Sequence, residues 1–174
     1  MHGYMHAEWA TCPITRRLMG GGNVMLTEGA MGFRAGLLPT VAMSSMEAEF
    51  MEAAVMGRIY LYCRSVMWDL GVPYCAATIA YEDNDACAMM TQAQKPTPWA
   101  CHIDITYHLI CQWVEDDLIK LEWISPKMNI ADIFTKQLGP LLFRRHCDYL
   151  TGRVPPQYSA HYQDLHLRTN PESL

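Results

Sequence analysis

Three acidic residues stand where an apolar run begins, ends or turns: Glu49 in "SSMEAEF", Asp83 in "IAYEDNDA" and Asp132 in "NIADIFTK". Their apolar flanks place each at the edge of a core rather than out in solvent. Carboxylates that converge repel one another unless protons or cations lie between them, and hard divalent ions with oxygen ligands are the usual solution. Singly, each acid has a plainer use. Asp83 reads as a helix N-cap and Glu49 as a first-turn acid favoured by the helix dipole.

The elements that must carry these residues are legible in outline. Residues 3–10, 20–28 and 30–35 read as three strands punctuated by glycine. Ser44 and Glu47 fit a capping box that opens a long helix, which stops at Gly71 with Pro73 just beyond. "YCAATIAY", residues 74–81, is nearly all apolar and reads as a central strand covered on both faces. A helix is expected from about Asp83, then a "KPTPW" loop. A further helix is expected over residues 102–114, where Ile103, Tyr107, Ile110 and Val114 share one face. "LIKLEWIS" alternates as a fifth strand, "NIADIFTK" is helical, and a last helix starts near Pro140. Trp68, Trp113 and Trp123 are assigned to core and helix–sheet packing. The order predicts an α/β plan with a mixed sheet.

With 174 residues, 51% of them apolar, the chain has enough for one core. The division expected is a folded unit over residues 1–150 and a polar, flexible tail over residues 151–174. Glu28 and Arg34 interrupt the likeliest membrane-spanning run, so no membrane partner is expected. The start, "MHGYMHAEWA", lacks the pattern of a signal peptide, and seven cysteines without a C-x-x-C pair argue for a reduced chain inside the cell, cytoplasmic or nuclear. A net charge of −5 is the wrong sign for a strong generic binder of phosphates.

Taken in order, "GYMHAEWATCPITRR", "SSMEAEF", "YEDNDACAM", "HIDITYHLI" and "NIADIFTKQL" resemble the ribonuclease H domain that ends the polyproteins of copia-type LTR retrotransposons. That family typically reads G-Y-S-D-A-D-W-A-G-x-P-x-T-R-R, S-S-T-E-A-E-Y, x-D-N-Q-S-A, K-H-I-D-I-R-Y-H and L-A-D-I-F-T-K. The match runs from residue 3 to about residue 150. The resemblance implies a ribonuclease H-like fold: a five-stranded mixed sheet flanked by helices. It also implies hydrolysis of the RNA strand of RNA–DNA hybrids by two Mg²⁺ ions. Glu49, Asp83 and Asp132 match three of the four metal ligands. The basic pair Arg16 and Arg17, together with Asn84, would meet nucleic acid. Reverse transcriptase and integrase would be fused upstream in the ancestral polyprotein, and the start at Met1 implies that both are missing here.

The fourth ligand departs from the pattern. The first acid of S-D-A-D is replaced by His6, and imidazole suits zinc or copper while Mg²⁺ wants oxygen donors in near-octahedral geometry. Glu8 points the same way along the strand but about 6–7 Å further on, so it is a weak substitute. Gly36, Leu37 and Leu38, and further on Trp99, Cys101 and Thr106, stand where the family often carries basic residues. Arg16–Arg17 and Arg144–Arg145 remain. The expectation is weak magnesium binding and impaired or absent turnover. Its alternatives are an active ribonuclease H that uses Glu8, and a non-catalytic remnant that holds nucleic acid or protein. Cys101, Asp104, His108 and Cys111 share a helical stripe that imitates a zinc site, but zinc ligands rarely all come from one helix.

Overall fold

The structure is a computed structural model, and it describes residues 1–8, 17–38, 41–42, 44–85, 87 and 104–153. Strand side chains alternate between faces, and β1 (His2–Glu8) uses both. Met5 faces one side, where it packs with Phe50, Met56 and Tyr60 of α1 (Ser45–Asp69) and with Tyr107, Ile110 and Trp113 of α2 (Asp104–Glu115). Tyr4 faces the other side and packs with Tyr81, Ile130 and Tyr149.

Five strands form one sheet in the order β3-β2-β1-β4-β5. β2 (Met19–Leu26) and β3 (Gly29–Leu37) continue antiparallel from β1, while β4 (Thr78–Glu82) and β5 (Ile119–Trp123) run parallel to it. The mixed five-stranded sheet expected from the sequence is therefore present. Beyond β5 come a 3-10 turn (Pro126–Met128), the short α3 (Asp132–Thr135) and α4 (Pro140–Leu150). Among the described residues, no helix is long and apolar enough to cross a membrane.

α1 begins where the capping box places it. Ser44 Oγ accepts the Glu47 N–H at 3.1 Å, satisfying one orphan donor. It ends at Gly71, whose φ of +73° is open to glycine at little cost, and the Val72 N–H returns to Met67 O at 3.0 Å. Close packing of α1 on α2 depends on Gly57, because a Cβ there would run into the Trp113 ring.

Three expectations are corrected. β4 starts at Thr78, four residues later than read, because β1 begins at His2 and offers nothing for residues 74–77 to pair with. Those residues are held from α1 instead: Arg64 donates to Ala76 O and lies over the Tyr74 ring at 5.6 Å. Trp68 and Trp123 are 70% and 50% exposed, so only Trp113 packs in the core. The helix after β4 is capped by Asn84, whose Oδ1 accepts the Cys87 N–H at 3.3 Å, so Asp83 is not the cap. Residues 154–174, Ile103 and the "KPTPW" loop lie outside the described residues.

Candidate functional site

Parallel strands end at the same edge of a sheet, which is where α/β folds place their sites. β1 and β4 are such a pair. His6 lies near the end of β1, and Asp83 follows the last residue of β4. The first turns of α1 bring Glu49 to this edge, and α3 opens with Asp132. His6 Nδ1 is 3.1 Å from Asp83 Oδ1 and 3.2 Å from Glu49 Oε1, while Nε2 is 3.7 Å from Asp132 Oδ1. The imidazole thus stands among all three carboxylates. It is 8% exposed.

Each group is electrostatically dependent on its neighbours. Burial by itself lowers the His6 pKa, but hydrogen bonds to Asp83 and Glu49 and their charges outweigh it and lift the ring to about 10. His6 is therefore an imidazolium at neutral pH, and Nδ1–H donates to both carboxylates. Burial would raise Asp83, yet His6 and the Asn129 amide hold it below the usual carboxylate range. Glu49 is pushed up by burial, opposed by His6, while its Oε2 accepts the Ala7 N–H at 2.7 Å. Lys136 Nζ donates to Asp132 Oδ1 at 2.8 Å.

Sequence reasoning missed several members of this region. Glu82 is completely buried beside Asp83, and burial, then the charges of Glu49 and Asp83, push its carboxyl well above the ordinary range. Glu52, one turn beyond Glu49 on α1, is also completely buried. Its Oε2 accepts from Arg34 Nη1 at 2.6 Å, and burial nevertheless outweighs that cation and lifts the carboxyl to about 7. Gly20 makes room for it, since a Cβ there would overlap the Glu52 carboxylate. Asn129 ties the site to the sheet. Its Nδ2 donates to Met5 O at 2.9 Å and Asp83 Oδ1 at 3.2 Å, and its Oδ1 accepts the Ala131 N–H at 3.0 Å. The three-residue step from Glu49 to Glu52 was the one available signal, because it puts both acids on one helix face.

The remaining candidates are placed elsewhere. Glu8 is in neither of the two groups of three or more His, Cys, Asp or Glu residues that could hold a metal among the described residues. Those groups are His6, Asp83 and Asp132, and Glu49, Glu82 and Asp83, each with its donor atoms within 4.8 Å of one another. Arg17 donates from Nε to Leu38 O at 2.9 Å, Asn84 caps the helix after β4, and Arg16 lies outside the described residues. Of the helical stripe that imitates a zinc site, Cys101 and the Asp104 side chain also lie outside them.

Neither group fits magnesium. Mg²⁺ takes oxygen ligands, keeps several waters and demands near-octahedral geometry. In the first group a ring nitrogen occupies the position between the carboxylates. The second is all oxygen, but Glu82 is sealed from solvent and Glu49 is 3% exposed, so it gives poor access to the several waters that Mg²⁺ keeps.

No protein-family model matches the chain. It is similar to the retrovirus-related Pol polyprotein from transposon TNT 1-94 of Nicotiana tabacum, 27% identical over 136 residues, which is 78% of this chain and 10% of that protein. A second relative is the retrovirus-related Pol polyprotein from transposon RE1 of Arabidopsis thaliana, 25% identical over 157 residues, 90% of this chain and 11% of that protein. The chain thus spans about a tenth of the length of these relatives. Among solved structures it is similar to LC11-RNase H1 in complex with an RNA/DNA hybrid, with a TM-score of 0.57 and 9% identity over 77% of this chain and 92% of that one. RNase H1 from the halophilic archaeon Halobacterium salinarum NRC-1 gives a TM-score of 0.51 and 11% identity over the same shares. The homologues of this chain are retrovirus-related Pol polyproteins from transposons, and its fold is that of ribonuclease H.

Proposed function

We propose that this chain is the ribonuclease H domain of a copia-type retrotransposon with its hydrolytic centre closed by His6. In the ancestral centre, carboxylates at positions 6, 49, 83 and 132 would hold two Mg²⁺ ions, which would supply the activation of water and the charge that stabilises the departing oxygen of the RNA strand. Here one protonated ring supplies the positive charge that the carboxylates need, and it leaves neither an oxygen donor nor a hydrated ion in that place. The observation that carries this reading is the imidazole lodged between Glu49, Asp83 and Asp132.

What the chain retains is a surface for nucleic acid. One solved structure with this fold holds an RNA/DNA hybrid. Arg144 and Arg145 are exposed on α4, and Lys136 borders the site. With a net charge of −5, hybrid affinity is low and falls further with salt.

The test is cleavage of a labelled RNA–DNA hybrid with Mg²⁺ by the native chain and by His6→Asp. Restoring the oxygen donor raises the rate by at least about 100-fold, the equivalent of about 3 kcal/mol in the transition state. Equal rates in the two proteins sink the reading. A fast native enzyme that is crippled by Glu8→Gln establishes the alternative in which Glu8 supplies the missing donor.

A further inference from the structure

We propose that β3 is a self-association edge, on which a second copy of this chain adds its own β3 antiparallel about a two-fold axis at Ala35, joining the two sheets into one in a weak symmetric dimer. The edge lies two strands away from β1, and the inference is independent of the hydrolytic reading.

An outer strand presents a row of backbone N–H and C=O groups to any strand that arrives, and natural edges are guarded by charge, proline or shortness. The two edges of this sheet differ in that respect. β5 is guarded: it is five residues long, with Lys120 exposed and held to Glu122 at 2.7 Å. β3 is nine residues long and has no proline, lysine or acid. Among the described residues, no strand pairs with its outer side. Its one charge, Arg34, is matched by the buried Glu52 of α1. On the opposite face Phe33 is 72% exposed and Leu37 45% exposed, with Ala35 also exposed between them. Phe134 sits over Gly21 of β2, where a Cβ would strike it, and so covers the inner side of the Phe33 ring. The two rings stack with centroids 5.7 Å apart and planes 7° from parallel. The outer side of Phe33 is left bare at the edge.

The pattern of β3 suits its own copy and selects a register. When two antiparallel copies are related by a two-fold axis through one residue, whichever alternate set of backbone groups points outward meets the same set of the partner. An axis at Arg34 would set two cations opposite each other. An axis at Phe33 would run into the bulge at Met31, the residue left over between the pairs Val24–Gly32 and Met25–Ala30. An axis at Ala35 meets neither obstacle. It lays each Phe33 against the partner's Leu37, and each Arg34 opposite the partner's Gly36. Covering Phe33, Ala35, Leu37 and the outer backbone removes roughly 800–1,000 Å² from water over both copies, the size of weak, transient pairs. Because β5 is guarded, pairing closes at two chains instead of growing into a fibre.

The experiment is sedimentation velocity of the full chain in reducing buffer across a concentration series. The native chain moves from the mass of one chain to that of two with a Kd of about 10–100 µM. Ala35 is exposed, so Ala35→Lys and Ala35→Asp leave the monomer folded by circular dichroism. Each sets like charges face to face on the axis and weakens the dimer by at least about 10-fold. Mixing the two variants restores it, since opposite charges then meet on the axis. Trp68→Ser, at an exposed ring near the end of α1, leaves the dimer unchanged. If either Ala35 variant is unfolded, Leu37→Asp decides by the same loss, because it sets a carboxylate against the partner's Phe33. A native chain that is monomeric throughout leaves the edge to a strand of another protein and overturns the proposal. A dimer that survives these substitutions, or a mixture of the two Ala35 variants that stays monomeric, overturns it as well.

Discussion

His6 Nδ1 and Asp83 Oδ1 are 3.1 Å apart at the edge shared by β1 and β4, with side chains 10% and 9% exposed. A second carboxylate, Glu49, shares the same ring nitrogen. Breaking a buried pair from one side leaves charge without compensation and costs more than the pair contributed. His6→Ala is therefore expected to lose about 3 kcal/mol or more at neutral pH, read from urea unfolding.

Asn129 is expected to be as sensitive, although it ionises nothing. It is 1% exposed and makes three hydrogen bonds linking β1, Asp83 and the start of α3. Asn129→Ala removes the side-chain donor to the Met5 carbonyl, one of the two donors to Asp83 Oδ1 and the acceptor of the Ala131 N–H, at a cost of about 2–3 kcal/mol in urea unfolding. Asn129→Asp is worse at neutral pH, since it sets a carboxylate against Asp83. Equal costs for the two variants would show that the amide does not face that charge.

Glu52 gives a pH dependence whose sign is fixed by burial. Its folded pKa of about 7 lies above the ordinary 4.5, so the folded state favours the protonated acid. That contribution is complete below pH 4.5 and is lost as pH rises through about 7. Glu52→Gln cannot ionise and still offers Arg34 an oxygen. Relative to the native chain, its stability in urea rises across this window by about 2–3 kcal/mol. A difference that is flat with pH would mean that Arg34 keeps Glu52 ionised throughout.

Gly57 tests the contact between the long helices. Gly57→Ala pushes a methyl group into the Trp113 ring and is expected to cost about 1–3 kcal/mol in thermal or urea unfolding, despite the better helix propensity of alanine. Pairing it with Trp113→Leu recovers part of the loss, because the smaller side chain removes the overlap. No recovery in the double variant would place the strain elsewhere.

Local patterns settled much of this protein in advance. The Ser44 cap, the Gly71 stop, the helical face carrying Tyr107 and Ile110, and the strand–helix order all follow from interactions within a few residues. Such interactions are written in spacing alone. The start of β4 differs from the sequence reading because a strand needs a neighbour, and where β1 begins, with His2 opposite Ile79, is information from far along the chain. Trp68 and Trp123 were misassigned for a related reason: a large ring packs only where another element arrives to cover it. The acids Glu49, Asp83 and Asp132 could be picked out by type and motif, and the oddity of His6 could be read beside them. Only the tertiary structure decided that the ring turns inward among all three, that Glu52 and Glu82 are sealed behind it, and that Asn129 holds Asp83 in place. Charge and burial act through space, so residues far apart in the chain set the chemistry that each one can perform.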